Sequence, residues 1–131
     1  MQAERNYSGQ RAYSQSKLAN VMFTYELARR LEGTGITATV LHPGVVHTHF
    51  GAEDQAHFAI LIRMAGPFMK TAAQGAVTPV YLASSPQVEG VTGQYFANRK
   101  PKTAAKSAYD TAAAARLWQA SADLVGLTAT A

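Results

Sequence analysis

Tyr13 and Lys17 stand four residues apart in the stretch AYSQSKLAN, residues 12–20. On a helix, where each residue turns about 100°, Tyr13, Lys17, Asn20 and Thr24 fall within roughly 60° of one another and form a single polar stripe. A free phenol ionises at about pH 10, too high for proton exchange near neutrality, and an adjacent ammonium favours the phenolate. Such a pair can act as a general acid/base. Carbonyl reduction needs a proton at oxygen as hydride reaches carbon, and alcohol oxidation needs the reverse. The competing reading is a helix with an ordinary (i, i+4) contact, worth roughly a few tenths of a kcal/mol. A two-letter pattern alone favours that plainer reading.

The elements that must position the pair can be read from periodicity and punctuation. Residues 11–31 read as a long helix that stops at EGTG, where Gly33 and Gly35 suit the left-handed conformation that ends helices. Its apolar residues form two flanks, Leu18, Val21, Met22, Tyr25 and Ala28 on one side and Ala19, Phe23 and Leu27 on the other. Enclosed between them, the polar stripe is expected to line a cleft. TATVLH, residues 37–42, is rich in β-branched residues and runs into Pro43-Gly44, so a strand ends there in a loop. HFAILIRMAGPFM, residues 57–69, reads as a short helix or lid broken at Gly66-Pro67. Thr71 and Gln74 have the spacing of a capping box for a helix reaching about Ser84, with Pro79 as a kink. Gly90 and Gly93 mark a turn before the short strand QYFAN. A last helix is expected from near Ser107, with Asp110 at capping distance, burying Leu117, Trp118, Ala122, Leu124 and Val125. Helix, strand, helix, strand, helix is an α/β pattern.

YSQSKLAN, then LHPGVVHT at the end of a β-branched strand, then FMKT and VTGQYF, together resemble the short-chain dehydrogenase/reductase superfamily and, within it, the retinol-dehydrogenase-like branch. The resemblance implies that Tyr13 is the catalytic acid/base. It implies that Lys17 tunes that tyrosine and hydrogen-bonds the nicotinamide ribose, beside which Tyr13 also lies. Pro43, Gly44, Val46 and Thr48 would border the nicotinamide, with the Val46 backbone and the Thr48 hydroxyl near its carboxamide. Placement beyond the C-terminal end of a strand is where an open α/β sheet binds its ligand. The cofactor implied is NADP or NAD, NADP being favoured by the resemblance, and the substrate a small apolar alcohol or carbonyl. The fold implied is a doubly wound parallel sheet of Rossmann type, of which these residues match the C-terminal portion. The N-terminal dinucleotide-binding half is absent, for no G-x-x-x-G-x-G turn occurs and EGTG leaves a helix rather than entering one. The family's active-site serine and relay asparagine are expected upstream of Met1, and Asn20 only shares the helix face with Tyr13.

Composition bounds the alternatives. A chain of 131 residues is expected to form a single domain, and 47% hydrophobic with 15% charged residues indicates a globular one. The absence of cysteine excludes disulfides, thiolate-held metals and a cysteine nucleophile. MQAERNYSGQ has no apolar signal core and no apolar run is long enough to span a bilayer, so the cytoplasm is the expected location. The net charge of +4 is partly local to NRKPKTAAK, where Arg99, Lys100, Lys102 and Lys106 read as an exposed, Pro-interrupted loop without an aromatic residue to stack on bases. A nucleic-acid partner is therefore not expected. His47, His49, Glu53, Asp54 and His57 could hold a metal but read as solvated or substrate-facing loop residues, so no metal is expected. Residues 58–69 suit a flap over an apolar substrate better than an interfacial membrane segment. The patch of Ala19, Phe23 and Leu27 suits a homo-oligomer contact. Two function classes follow: a hydride-transferring oxidoreductase, or a non-catalytic truncated remnant or interaction module docking through its first helix.

Overall fold

In the computed structural model, residues 8–46 and 69–127 are described. Helix α1 spans Gly9–Arg30, strand β1 Thr39–His42, helix α2 Ala72–Ser84, strand β2 Gln94–Ala97, strand β3 Lys100–Lys102 and helix α3 Thr111–Leu124, with 3-10 turns at Pro86–Val88 and Lys106–Tyr109. The strands form a small mixed sheet in the order β1-β2-β3. The chain divides into two compact units. One gathers α1, the start of β1, residues 89–95 and the chain from Pro101 onward; the other gathers Leu41–Val88 and Phe96–Lys100.

Helix α1 ends as its sequence demands. The backbone N–H of Leu31 donates to the Leu27 carbonyl and that of Glu32 to the Arg29 carbonyl, and Gly33 and Gly35 both follow at φ +78. Arg29 and Arg30 place positive charge in the last turn, where the helix dipole favours it. In the first unit the Leu18 flank of α1 is the buried one. Met22 and Tyr25 form a core with Ala108 and Ala114, and Leu18, Val21, Val40, Tyr95, Ala113 and Leu117 pack around it. Alanines on α3 let the two helices approach closely, which a larger side chain would prevent. The Tyr25 ring stacks on Tyr109 at 5.4 Å between centroids, and the backbone N–H of Ala104 donates to the Tyr109 hydroxyl at 3.0 Å. The opposite flank is partly engaged: Phe23 stacks on Trp118 at 4.9 Å, and the Arg30 guanidinium lies over the same indole at 4.7 Å.

Three sequence expectations are corrected. The residues NRKPK do not form a simple loop: Asn98 and Arg99, at φ 52 and 61, make a two-residue turn that folds Lys100–Lys102 back as β3. Left-handed conformation at both turn positions matches the right-handed twist of the flanking strands. The last helix starts at Thr111, because Asp110 is itself its N-cap, its carboxylate accepting from the Ala113 N–H at 2.9 Å, while Ser107 lies in a 3-10 turn. Leu124 and Val125 are 88% and 70% exposed, since they fall beyond Ala122, the last buried residue of α3.

Glu26 is a buried carboxylate on α1 with two cationic partners. Its Oε2 accepts from Arg29 at 2.5 Å and its Oε1 from Arg30 Nε at 2.7 Å. Hydrogen bonding to Arg29 is the largest cause holding its pKa below the usual carboxylate value, against the opposing effect of burial. The folded state therefore favours the carboxylate. That contribution is complete above the ordinary value of 4.5 and is lost as pH falls through the lower folded value. Glu26→Gln should lower stability at pH 7 by roughly 1–2 kcal/mol, discounted for its half-exposed partners, and should flatten the acid limb of a denaturant-monitored pH profile. Tyr25 behaves oppositely at high pH. Burial first, then Tyr109, pushes its phenol from 10.0 up to about 12, so its contribution is present below pH 10.0 and is lost as pH rises towards 12. Tyr25→Phe should remove this alkaline loss, read by the same profile extended to high pH.

Candidate functional site

Tyr13 and Lys17 lie on α1, where helical spacing brings the Lys17 ammonium to 5.2 Å from the centroid of the Tyr13 ring. That distance is within cation–π range. The helix around them is reinforced locally, Ser16 Oγ donating to the Tyr13 carbonyl at 2.7 Å and Thr24 Oγ1 to the Asn20 carbonyl at 3.0 Å. Tyr13 is 52% exposed, and Lys17 and Asn20 are exposed beside it. The stripe is therefore open rather than enclosed between apolar flanks, because the buried flank of α1 is centred on Met22 and Tyr25, further along the helix. An open groove of about 550 Å³ in the same unit is lined by Tyr25, Ala28, Gly93 and Tyr109 among others, and by neither Tyr13 nor Lys17.

The loop that follows β1 belongs to the second unit, and residues 69–78 hold it. Gly44 adopts φ +93, and its N–H donates to Nδ1 of His42 at 2.9 Å. Lys70 holds the loop twice: its backbone N–H donates to the Val45 carbonyl at 2.9 Å and its ammonium to the Pro43 carbonyl at 3.1 Å. Val46 pairs with Lys70 as a parallel bridge. The Val46 side chain fills the space over buried Gly75, where an added Cβ would lie 2.7 Å from its Cγ2. Directly after Lys70, Thr71 caps helix α2 through the expected capping box, Gln74 N–H donating to Thr71 Oγ1 at 3.2 Å and Thr71 N–H to Gln74 Oε1 at 2.9 Å. The helix continues through Pro79, and the buried Thr78 hydroxyl accepts from the Arg99 N–H at 3.3 Å, pinning the turn between β2 and β3.

Of the residues expected at the site, the structure brings Tyr13 and Lys17 together in one unit and Pro43, Gly44 and Val46 together in the other. Thr48 lies outside the described residues, as do His47, His49, Glu53, Asp54 and His57 and the apolar segment expected to be a lid, apart from Met69. Sequence reading assigned no role to His42, Lys70, Thr78 or Asn98. For His42, Lys70 and Asn98 the only signal was position within LHPGVVHT, FMKT and QYFAN, and Thr78 carried none. Among the described residues no group of histidine, aspartate and glutamate could hold a metal, and no helix is long and apolar enough to cross a membrane.

The short chain dehydrogenase family profile matches residues 1–58. Human retinol dehydrogenase 14 is 46% identical over 97% of this chain, human retinol dehydrogenase 12 is 41% identical over 97%, and human retinol dehydrogenase 13 is 42% identical over 95%. The chain spans 39–40% of the length of these relatives. It belongs to the short-chain dehydrogenase family, on the retinol-dehydrogenase-like side. Its small α/β arrangement is a partial Rossmann-type domain.

The tightness of the loop against α2 is testable. Gly75→Ala would place a methyl 2.7 Å from Val46 Cγ2. It should cost about 1–3 kcal/mol, as overpacking does, and should shift the Val46 methyl resonances more than those of Val40. Chemical denaturation and methyl NMR check both.

Proposed function

We propose that this chain supplies the acid/base and the nicotinamide loop of an NAD(P)-dependent oxidoreductase of the short-chain type, interconverting an alcohol and a carbonyl by hydride transfer. The observation that carries this reading is the exposed Tyr13 ring with the Lys17 ammonium 5.2 Å from its centroid, in a chain 46% identical to a retinol dehydrogenase. The donors present fit one end of a dinucleotide. The Tyr13 hydroxyl and Lys17 ammonium have the chemistry to hydrogen-bond ribose hydroxyls, and the backbone of Pro43, Gly44 and Val46, with the Thr48 hydroxyl, is suited to border a nicotinamide. The pyrophosphate end has no counterpart, since the 131 residues contain no glycine-rich turn leading into a helix.

When bound, the dinucleotide supplies or accepts the hydride. In reduction Tyr13 donates its phenolic proton to the carbonyl oxygen, and in oxidation it takes the proton from the alcohol. Lys17 places a positive charge 5.2 Å from the centroid of the ring that gives up the proton. The substrate class is a small apolar alcohol or carbonyl, of which a retinoid is one, as the names of the relatives suggest. NADP is favoured over NAD by resemblance alone, because the residue that reads the ribose 2′ position is outside the matched blocks.

A chimera in which this chain replaces the matching segment of human retinol dehydrogenase 14 tests the assignment. Tyr13→Phe should lower kcat by roughly 100-fold or more while leaving cofactor affinity within about twofold, and Lys17→Ala should damage both. Retention of most activity by Tyr13→Phe would refute the acid/base role. For the chain by itself, calorimetric titration with NADPH should give binding weaker than about 10 μM; a tighter complex would reveal a phosphate site elsewhere in these residues.

A further inference from the structure

Among the described residues of the second unit, Lys70 has a side chain that hydrogen-bonds two separate segments at once. Its ammonium donates to the Pro43 carbonyl at 3.1 Å and to Asn98 Oδ1 at 2.5 Å. The rest of its stem occupies the space a side chain at position 44 would need: a Cβ on Gly44 would lie 2.9 Å from Nζ and 3.0 Å from Cδ and Cε. Glycine at 44 suits its φ of +93, a backbone that other residues rarely adopt, and leaves room for the lysine passing against it. An apolar residue at 70 could fill the same space but could not bond a carbonyl. Asn98 is suited to aim the ammonium, because asparagine tolerates the left-handed backbone it adopts at φ 52 while offering a carbonyl oxygen. That backbone is itself fixed next door, where Arg99 N–H donates to the buried Thr78 hydroxyl.

We propose that Lys70 is a positioning residue for the nicotinamide loop, with Asn98 as its guide. The ammonium and the Lys70 amide together set the direction of the Pro43 and Val45 carbonyls, and so the backbone that borders the nicotinamide. This deepens the function proposed above and rests on it for the identity of what the loop contacts. A lysine has three N–H donors, of which two are used here, so the ammonium is held by geometry rather than by bulk.

Uniformly ¹⁵N-labelled chain of all 131 residues, studied by NMR, tests the latch without any activity. Lys70→Met keeps a long stem and removes the donors. It should displace the Gly44 and Val46 amide signals while the capping-box amide of Gln74 stays in place, and should raise hydrogen exchange at the residue 70 amide about tenfold. Lys70→Arg, which restores charged donors, should recover at least half of each change. Asn98→Gly, which keeps the left-handed backbone and removes Oδ1, should shift the same signals in the same direction. Combined with Lys70→Met it should add nothing, as expected of two groups acting through one bond. Additive effects, or unmoved Gly44 and Val46 signals in both single variants, would overturn the proposal; Asn98→Gly serves alone if Lys70→Met does not fold. Titration with nicotinamide mononucleotide at millimolar concentration separates the latch from the cofactor reading. Shifts at Gly44 and Val46 in the parent, weakened at least threefold in Lys70→Met, support both. A loop that moves with Lys70 yet ignores the mononucleotide would overturn the nicotinamide assignment and leave the latch standing.

Discussion

Covering the flank of α1 that carries Met22 and Tyr25 is the constraint on which the first unit depends. A helix of 22 residues gains little from its own hydrogen bonds in water, so burial of one stripe is what holds it. The cover comes from Ala108 in the 3-10 turn and Ala114 on α3, with Leu117 beside them. Because each residue of a helix advances by a fixed angle, burying Tyr25 also settles which way Tyr13 faces, three turns earlier. The Tyr13–Lys17 pair is thus oriented from a distance, by a core of which neither is a member. Glu26 adds to that hold by tying Arg30, whose guanidinium in turn lies on the indole that stacks against Phe23.

The second unit relies on a different device, the omission of atoms. Gly44 and Gly75 each lack a Cβ where a neighbouring side chain already stands, Lys70 in one case and Val46 in the other. Close approach of this kind converts a loop, which by itself has little to bury, into a packed element. The hydrogen bonds of Lys70 and His42 then fix its carbonyl and amide directions. One unit therefore carries the Tyr13–Lys17 pair, and the other a shaped backbone.

What could be read from the sequence was what depends on neighbours in the chain. The spacing of Tyr13 and Lys17, the Thr71–Gln74 capping box, the glycines after α1 and the β-branched residues of β1 are all local, and all took the expected form. Residues whose partners are remote were silent. Lys70 finds its acceptors 27 and 28 positions away, and no periodicity encodes such a pair. Strand β3 was hidden because Pro101 and its flanking lysines have the composition of a loop, and because the turn before it uses Asn98-Arg99 in place of the asparagine-glycine pair that usually announces such a turn. The exposure of Tyr13 was missed for a related reason: a helical projection names the faces of α1 but not how far along the helix its cover extends. Leu124 and Val125 show the same limit at the other end, being apolar and in register but past the last residue that α3 buries.

The pairing of Val46 with Lys70 also bears on how this chain can change over evolutionary time. It is made through backbone groups, which any residue other than proline provides. A substitution at position 70 therefore leaves the main-chain pairing in place. The bonds from the Lys70 ammonium to Pro43 and Asn98, by contrast, exist only while a long side chain with donors is kept there. Main chain and side chain of a single residue are thus open to different selection.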